Sequence, residues 1–263
     1  MPKADLQHAS LHYELTGRAT APVLMLSNSL GTDLRMWDAQ LESFEQHYRV
    51  LRYDMRGHGA SSVPPGPYTM EQLGNDVLGL LNKLDIPRVH FCGLSIGGAI
   101  GQWLGIHAAP RLHKLILSNT AAKIGTDQTW NSRISEVNQH GLQSIADATM
   151  QRWFTPAFRS AGTSQVQRMR ETLLAVDPAG YTASCAAIRD IDQRETVGRI
   201  EVPVCIIAGS EDPVTTVADA EFLRSQIPGA ELNLLPAAHI SNVEASDLFN
   251  ATVLNFLAKE VPK

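Results

Sequence analysis

Short apolar runs punctuate the chain at Val23–Leu26, Val50–Tyr53, Val89–Cys92, Leu115–Leu117, Val204–Ala208 and Leu232–Leu235. Each has the length of a buried strand, and most lack polar alternation, as strands covered on both faces should. Helix-like segments separate them, which is the rhythm of βαβ units and a parallel sheet. The opening differs. Leu11, Tyr13 and Leu15 alternate with His12 and Glu14, which predicts a half-exposed, antiparallel edge strand. Phe249, Val253, Phe256 and Leu257 follow helical spacing and predict an amphipathic C-terminal helix.

The strand rhythm stops after Leu117 and resumes at Val204. The stretch between shows only helical patterns and turns, with one apolar stripe at Val166, Met169, Leu173 and Val176. The expected organisation is a sheet-forming core in two parts, residues 1–120 and 190–263, with a helical cap at 121–189. No internal repeat or low-complexity segment interrupts it.

Composition narrows the class. With 263 residues and 44% hydrophobic side chains, the chain is long enough for one large core and is neither disordered nor fibrous. The net charge of −5 carries no basic patch for nucleic acid. The start, Met1 to His8, has no apolar segment of the secretory kind. No apolar run reaches the roughly 18 residues of a membrane span; Gly97–Ala109 is broken by Gln102 and His107. Three scattered cysteines, Cys92, Cys185 and Cys205, suit reduced thiols and a cytoplasmic location, and no Cys/His spacing suggests zinc.

The candidate chemistry begins at Gly93-Leu94-Ser95-Ile96-Gly97, a G-x-S-x-G pattern. Alone it is weak, arising by chance in about one chain in ten of this length. Here an apolar run precedes it, and Gly97, Gly101 and Gly105 fall on one face of the helix expected to follow. That context predicts a sharp strand-to-helix turn presenting Ser95 as a nucleophile, rather than a serine in an ordinary glycine-rich turn. A serine needs a base, and the base an orienting carboxylate. Asp212 follows the run Val204–Ala208, and His239 follows Leu232–Leu235. Glu211 is the alternative acid, and Asp219 suits the start of the next helix. His58 is the alternative base, with a loop-stabilising role the plainer reading. An ordinary imidazole titrates at about 6.5 and must be neutral to accept a proton, so kcat/KM should fall below about pH 6–7. A profile flat down to about pH 5 would exclude a histidine base. The oxyanion hole is expected from the backbone N–H groups of Ile96 and of Leu30, with Ser29 the alternative, in the loop Ser27–Asp33.

These features together resemble the α/β-hydrolase superfamily along essentially the whole chain. Asp54-Met55-Arg56-Gly57-His58-Gly59-Ala60-Ser61 is similar to that family's D-x-R-G-x-G-x-S loop. The usual His-Gly of the oxyanion loop is replaced by Asn28-Ser29. Leu26–Asp33 with Met36-Trp37, Phe91–Ser95, Asn119–Gly125 and Ala237–Asn242 resemble the 3-oxoadipate enol-lactonases. The resemblance implies an α/β fold with a mostly parallel eight-stranded sheet flanked by helices and a helical cap after the sixth strand. It implies hydrolysis of 3-oxoadipate enol-lactone, a small anionic lactone, through an acyl-enzyme in bacterial protocatechuate and catechol breakdown. No metal or organic cofactor is implied. Rival readings are a carboxylesterase, a carbon–carbon bond hydrolase or a perhydrolase on the same triad, or a ligand-binding receptor without turnover. Epoxide hydrolases and haloalkane dehalogenases use a carboxylate nucleophile, which Ser95 does not supply.

The cap region holds Trp130, Trp153, Phe154 and Phe158, either as cap core or as substrate platforms. From Ala121 to Ala187 it carries six basic and five acidic side chains, against −5 for the whole chain, which mildly favours an anionic ligand there. Arg133, one helical turn after Trp130, is the candidate for the substrate carboxylate, with Lys123 and Arg152 as alternatives. Met36 and Trp37 either line the pocket or pack beneath it.

Overall fold

A computed structural model describes residues 2–259. Eight strands form one sheet: β1 (Lys3–Asp5), β2 (Ser10–Thr16), β3 (Val23–Ser27), β4 (Arg49–Tyr53), β5 (Val89–Leu94), β6 (Leu112–Ser118), β7 (Val204–Gly209) and β8 (Glu231–Leu235). Their order across the sheet is β1-β2-β4-β3-β5-β6-β7-β8. The pairs β1/β2 and β2/β4 are antiparallel, and all others are parallel. Every apolar run read from the sequence is one of these strands, extended by a residue or more at one end or the other.

The opening strand departs from expectation. β2 pairs with β4 on one side, but β1 covers its other side, so β2 is not the edge. Leu11 and His12 are buried accordingly, and His12 Nδ1 bonds Asp54 at 2.7 Å. β1 has only three residues, of which Ala4 alone is buried. Such a segment leaves too short a pattern to read.

Parallel pairing decides where the chemistry gathers. β3, β5, β6, β7 and β8 all run the same way, so the segments after Ser27, Leu94, Ser118, Gly209 and Leu235 emerge at one edge of the sheet. Leu24, Met25, Leu26, Phe91, Cys92, Leu115, Ile116 and Leu117 are fully inaccessible within the sheet, which is covered on both faces. The C-terminal helix Ser246–Ala258 buries Phe249, Val253, Phe256 and Leu257, the predicted stripe.

Five α-helices stand between β6 and β7: Asp127–His140, Gln143–Trp153, Pro156–Ala161, Thr163–Leu174 and Pro178–Asp190. They form the cap after the sixth strand. Local chemistry starts three of them. Thr126 and Thr129 form a reciprocal capping box, Thr155 accepts from Phe158 N–H, and Asp177 accepts from Ala179 and Gly180 N–H ahead of Pro178. Met169, Leu173 and Val176 of the predicted stripe are buried. The cap meets the core backbone to backbone. A Cβ at Gly180 would lie 2.3 Å from Gly57 O, so only glycine permits that approach.

Two histidines, His58 buried and His90 half-buried, give the fold a pH dependence. Burial pushes His58 down to about 4, and burial with the nearby charges of His113, Lys114 and Arg88 does the same to His90. An unfolded histidine titrates at about 6.5. Between those values the unfolded chain takes up protons that the folded chain refuses. Stability should therefore be full above about pH 6.5 and fall as pH drops towards 4, with His58 contributing about 3 kcal/mol of the loss. Urea unfolding from pH 7 to pH 4.5 measures this, and His58→Gln should flatten the slope. An unchanged slope would show that His58 is not the source.

Candidate active site

β5 ends at Leu94, and Ser95 turns sharply with φ 61° and ψ −117° before the helix Ile96–His107. A non-glycine residue held at positive φ is strained, and strain of this kind collects at functional sites. The turn is tied down on both sides. Ser95 N–H donates to Ser118 O at 2.9 Å, and Thr120 Oγ1 donates to Ser95 O at 2.8 Å. A Cβ at Gly97 would sit 2.3 Å from Ser27 O, so the glycine lets the helix start press against the end of β3.

Ser95 Oγ lies 2.9 Å from His239 Nε2, and His239 Nδ1 lies 2.8 Å from Asp212 Oδ2. All three side chains are buried. Asp212 is saturated with donors: Val214 and Thr215 N–H reach Oδ1 at 2.8 and 3.2 Å, and Thr215 Oγ1 and Asn119 Nδ2 reach Oδ2 at 2.7 and 3.0 Å. Burial works to raise this carboxyl, but the charge of His239 and the hydrogen bonds from His239, Asn119 and Thr215 outweigh it and hold it down at about 2. The ionised carboxylate fixes the tautomer: Nδ1–H donates to Asp212, and Nε2 is left to accept the Ser95 hydroxyl proton. Glu211, the alternative acid, is exposed, and only its backbone joins the loop, N–H to Ala237 O at 3.0 Å.

The loop after β3 shows how Asn28-Ser29 does its work. Asn28 Nδ2 donates to Tyr53 O, and Asn28 Oδ1 accepts from Trp37 Nε1, at 2.9 and 2.8 Å. Ser29 N–H is taken by Met36 Sδ at 3.3 Å, and Gly31 N–H by His58 Nε2 at 3.0 Å. The Leu30 N–H between them has no acceptor among the described residues, and neither has that of Ile96. These are the two donors the sequence suggests, and Ser29, the alternative, is already engaged. Met36 and Trp37 therefore support the loop from beneath. Trp37 is fully buried, 6.0 Å from Phe249.

A cavity of about 270 Å³ opens over Ser95 and His239 and is roofed by the cap, with Trp130, Trp153, Arg133 and Arg152 in its lining. Arg133 stacks 5.7 Å from the Trp130 ring and donates to Tyr181 Oη at 3.2 Å. Arg152 donates to Thr149 Oγ1 at 3.1 Å. Neither guanidinium meets a carboxylate among the described residues. Burial, and then the charge of Arg133, push Arg152 down from its ordinary value. Two unneutralised cations in one half-buried cavity attract an anion. Lys123, the other candidate, turns away to Asp127 and to Arg189 O. Phe154 and Phe158 stack on each other at 5.3 Å as cap core and do not line the cavity.

An alcohol beside a carboxylate-oriented imidazole, with two free amides close by, is equipped for acyl transfer. Comparison with known proteins agrees. A profile of the α/β-hydrolase fold matches residues 22–178. The chain is 47% identical to 3-oxoadipate enol-lactonase 2 of Acinetobacter baylyi over 94% of this chain and 92% of that protein. It is 42% identical to the crystallised enol-lactonase of Burkholderia xenovorans LB400, with a TM-score of 0.97 over 98% of this chain and 100% of that one. The chain belongs to the 3-oxoadipate enol-lactonase family of α/β hydrolases. It is accordingly an enzyme of the ester-hydrolase class.

Several residues of this α/β hydrolase's site escape sequence reading. Asn119, at φ 43°, donates to both Asp212 Oδ2 and Ala238 O while accepting from Ser118 and Ser241 hydroxyls. Its partners lie 93, 119 and 122 residues away as well as next door, so no local pattern announces them. Thr215 and Tyr181 are similarly silent. An asparagine placed just after a strand is the one sequence signal available, since asparagine tolerates the positive φ found there.

Proposed function

We propose that the enzyme opens 3-oxoadipate enol-lactone to 3-oxoadipate through an acyl-enzyme at Ser95, within bacterial breakdown of protocatechuate or catechol. The observation that carries this reading is one cavity joining the Ser95 hydroxyl to two unpaired guanidiniums. A reactive carbonyl and a free carboxylate on one small molecule would span it. The names of two Acinetobacter baylyi relatives, both 3-oxoadipate enol-lactonases, support the same substrate.

Ser95 Oγ attacks the lactone carbonyl, and His239 Nε2 takes its proton while Asp212 steadies the imidazolium. The Leu30 and Ile96 amides receive the oxyanion. The ring C–O bond then breaks, and the departing enol oxygen takes the proton back from His239. An enolate is a better leaving group than an alkoxide, and it stays tethered because the substrate is cyclic. Water, losing a proton to His239, attacks the acyl-enzyme, and Ser95 recovers the proton as it leaves. The released enol tautomerises to the ketone. Residues 121–189 act as the cap over this site, between core parts 1–120 and 190–263, with Trp130 and Trp153 as walls and Arg133 as the carboxylate's partner. We place the enzyme in the cytoplasm, a reading supported by three cysteines that are all free and buried.

Arg133→Ala tests the substrate assignment. A charge-assisted contact contributes roughly 1.5–3 kcal/mol, or about 10–150-fold. Loss of kcat/KM by that factor on the enol-lactone is expected, with little change on a neutral aryl ester. Equal losses on both would mean general damage to the cap and would remove the clamp. A double variant with Arg152→Ala should lose more on the lactone alone.

A further inference from the structure

His239 is held from the cap as well as from the core. Ala238 N–H, immediately before it, donates to Glu244 Oε2 at 2.9 Å. The same carboxylate accepts the Thr155 hydroxyl, and Thr155 N–H lies 3.2 and 3.3 Å from its two oxygens. Ile240 N–H, immediately after His239, donates to Trp153 O at 3.0 Å. Both neighbours of His239 are thus fastened to the three-residue cap segment Trp153–Thr155, one directly and one through Glu244. Trp153 lines the cavity, and Arg152 precedes it.

On its other side the Ala238 peptide is fixed by the core. Its carbonyl accepts from Asn119 Nδ2 at 3.1 Å, the same amide that holds Asp212. Glu244 itself meets no cationic side chain within salt-bridge distance among the described residues. A half-buried carboxylate committed to three donors and no cation is costly to desolvate, and here its contacts all join the cap to the loop that carries the imidazole.

We infer that Glu244 is a positioning residue that couples the placement of the cap segment Trp153–Thr155 to the alignment of His239. With the carboxylate in place, the cap wall that meets the substrate and the imidazole that serves Ser95 move as one body. Without it, the Ala238 amide loses its acceptor and the imidazole its fixed distance to Ser95 Oγ. Misplacement of about 1 Å can cost a reaction about 10²-fold.

The inference rests on His239 as the base, and its test uses p-nitrophenyl acetate so that it does not depend on the enol-lactone assignment. Glu244→Ala should lower kcat by about 10- to 100-fold, with KM changed by less than about threefold. Glu244→Gln, which keeps one acceptor oxygen, should recover part of the kcat and covers the case in which the alanine variant folds poorly. Thr155→Val, which also gives up the bond from Phe158 N–H, should move kcat in the same direction, and the double variant Glu244→Ala/Thr155→Val should have a kcat no lower than Glu244→Ala, because towards His239 both break one linkage. Thermal unfolding of each variant is followed in parallel. If folded Glu244→Ala or Glu244→Gln shows a lower Tm with kcat within twofold of the parent, Glu244 is only a structural tie and the inference fails. Additive losses in the double variant would equally overturn the coupling to the cap. Failure of the base assignment shows separately, as retained activity in His239→Ala.

Discussion

Ser95→Ala should lower kcat by about 10⁴–10⁶-fold, because members of such an array act as a unit and removing the nucleophile removes the covalent route. The fold should survive. Only a hydroxyl is lost, and the strained turn is held through the backbone of Ser95, by Ser118 O and the Thr120 hydroxyl. Circular dichroism and Tm close to the parent should accompany the loss. Retention of more than about a tenth of the activity would place the nucleophile elsewhere.

Asp212→Asn should cost about 10⁴ in kcat, by analogy with other triads. The site makes the reason specific. Asp212 accepts hydrogen bonds from His239, Asn119, Thr215 and two backbone amides, and has nothing to donate. An asparagine must direct its NH₂ at one of those donors. Turned towards His239, it favours the tautomer that carries its proton on Nε2, where it cannot accept from Ser95. Turned away, it opposes the Val214 and Thr215 amides. Glu211→Gln is the control and should leave kcat nearly unchanged, since that side chain is exposed. A larger loss from Glu211→Gln than from Asp212→Asn would reverse the assignment of the acid. Stability should respond as well. A carboxyl held at about 2 contributes stability that is full above about pH 4 and lost as pH falls towards 2, so acid unfolding of Asp212→Asn should lack that component.

The sequence made Ser95, Asp212 and His239 legible because each follows an apolar run, and parallel pairing must bring the ends of such runs to one edge. Hydrophobic periodicity likewise announced β2 to β8 and the C-terminal helix. Adjacency was the harder part. That β4 lies between β2 and β3, and that three residues of β1 cover β2, depends on pairings no single run encodes. The same holds at the site. Arg133 was visible through its spacing from Trp130, whereas Arg152 reaches the cavity from another helix and becomes its equal only when the cap is folded. Met36 could line or support; its sulfur accepting from Ser29 N–H and Thr32 Oγ1 decides for support. Nothing in the sequence singles out Glu244. Its meaning comes from Thr155, 89 positions away.

On the proposed reading, the reactive serine and the cationic end of the cavity serve one substrate. Steady-state kinetics on enzymatically generated 3-oxoadipate enol-lactone against p-nitrophenyl acetate tests it most directly. Turnover of the lactone to 3-oxoadipate is expected, with kcat/KM above that of the aryl ester by at least the roughly 10–150-fold that one charge-assisted contact contributes. Equal or lower kcat/KM on the lactone, with the aryl ester turned over normally, would contradict it and leave a general esterase.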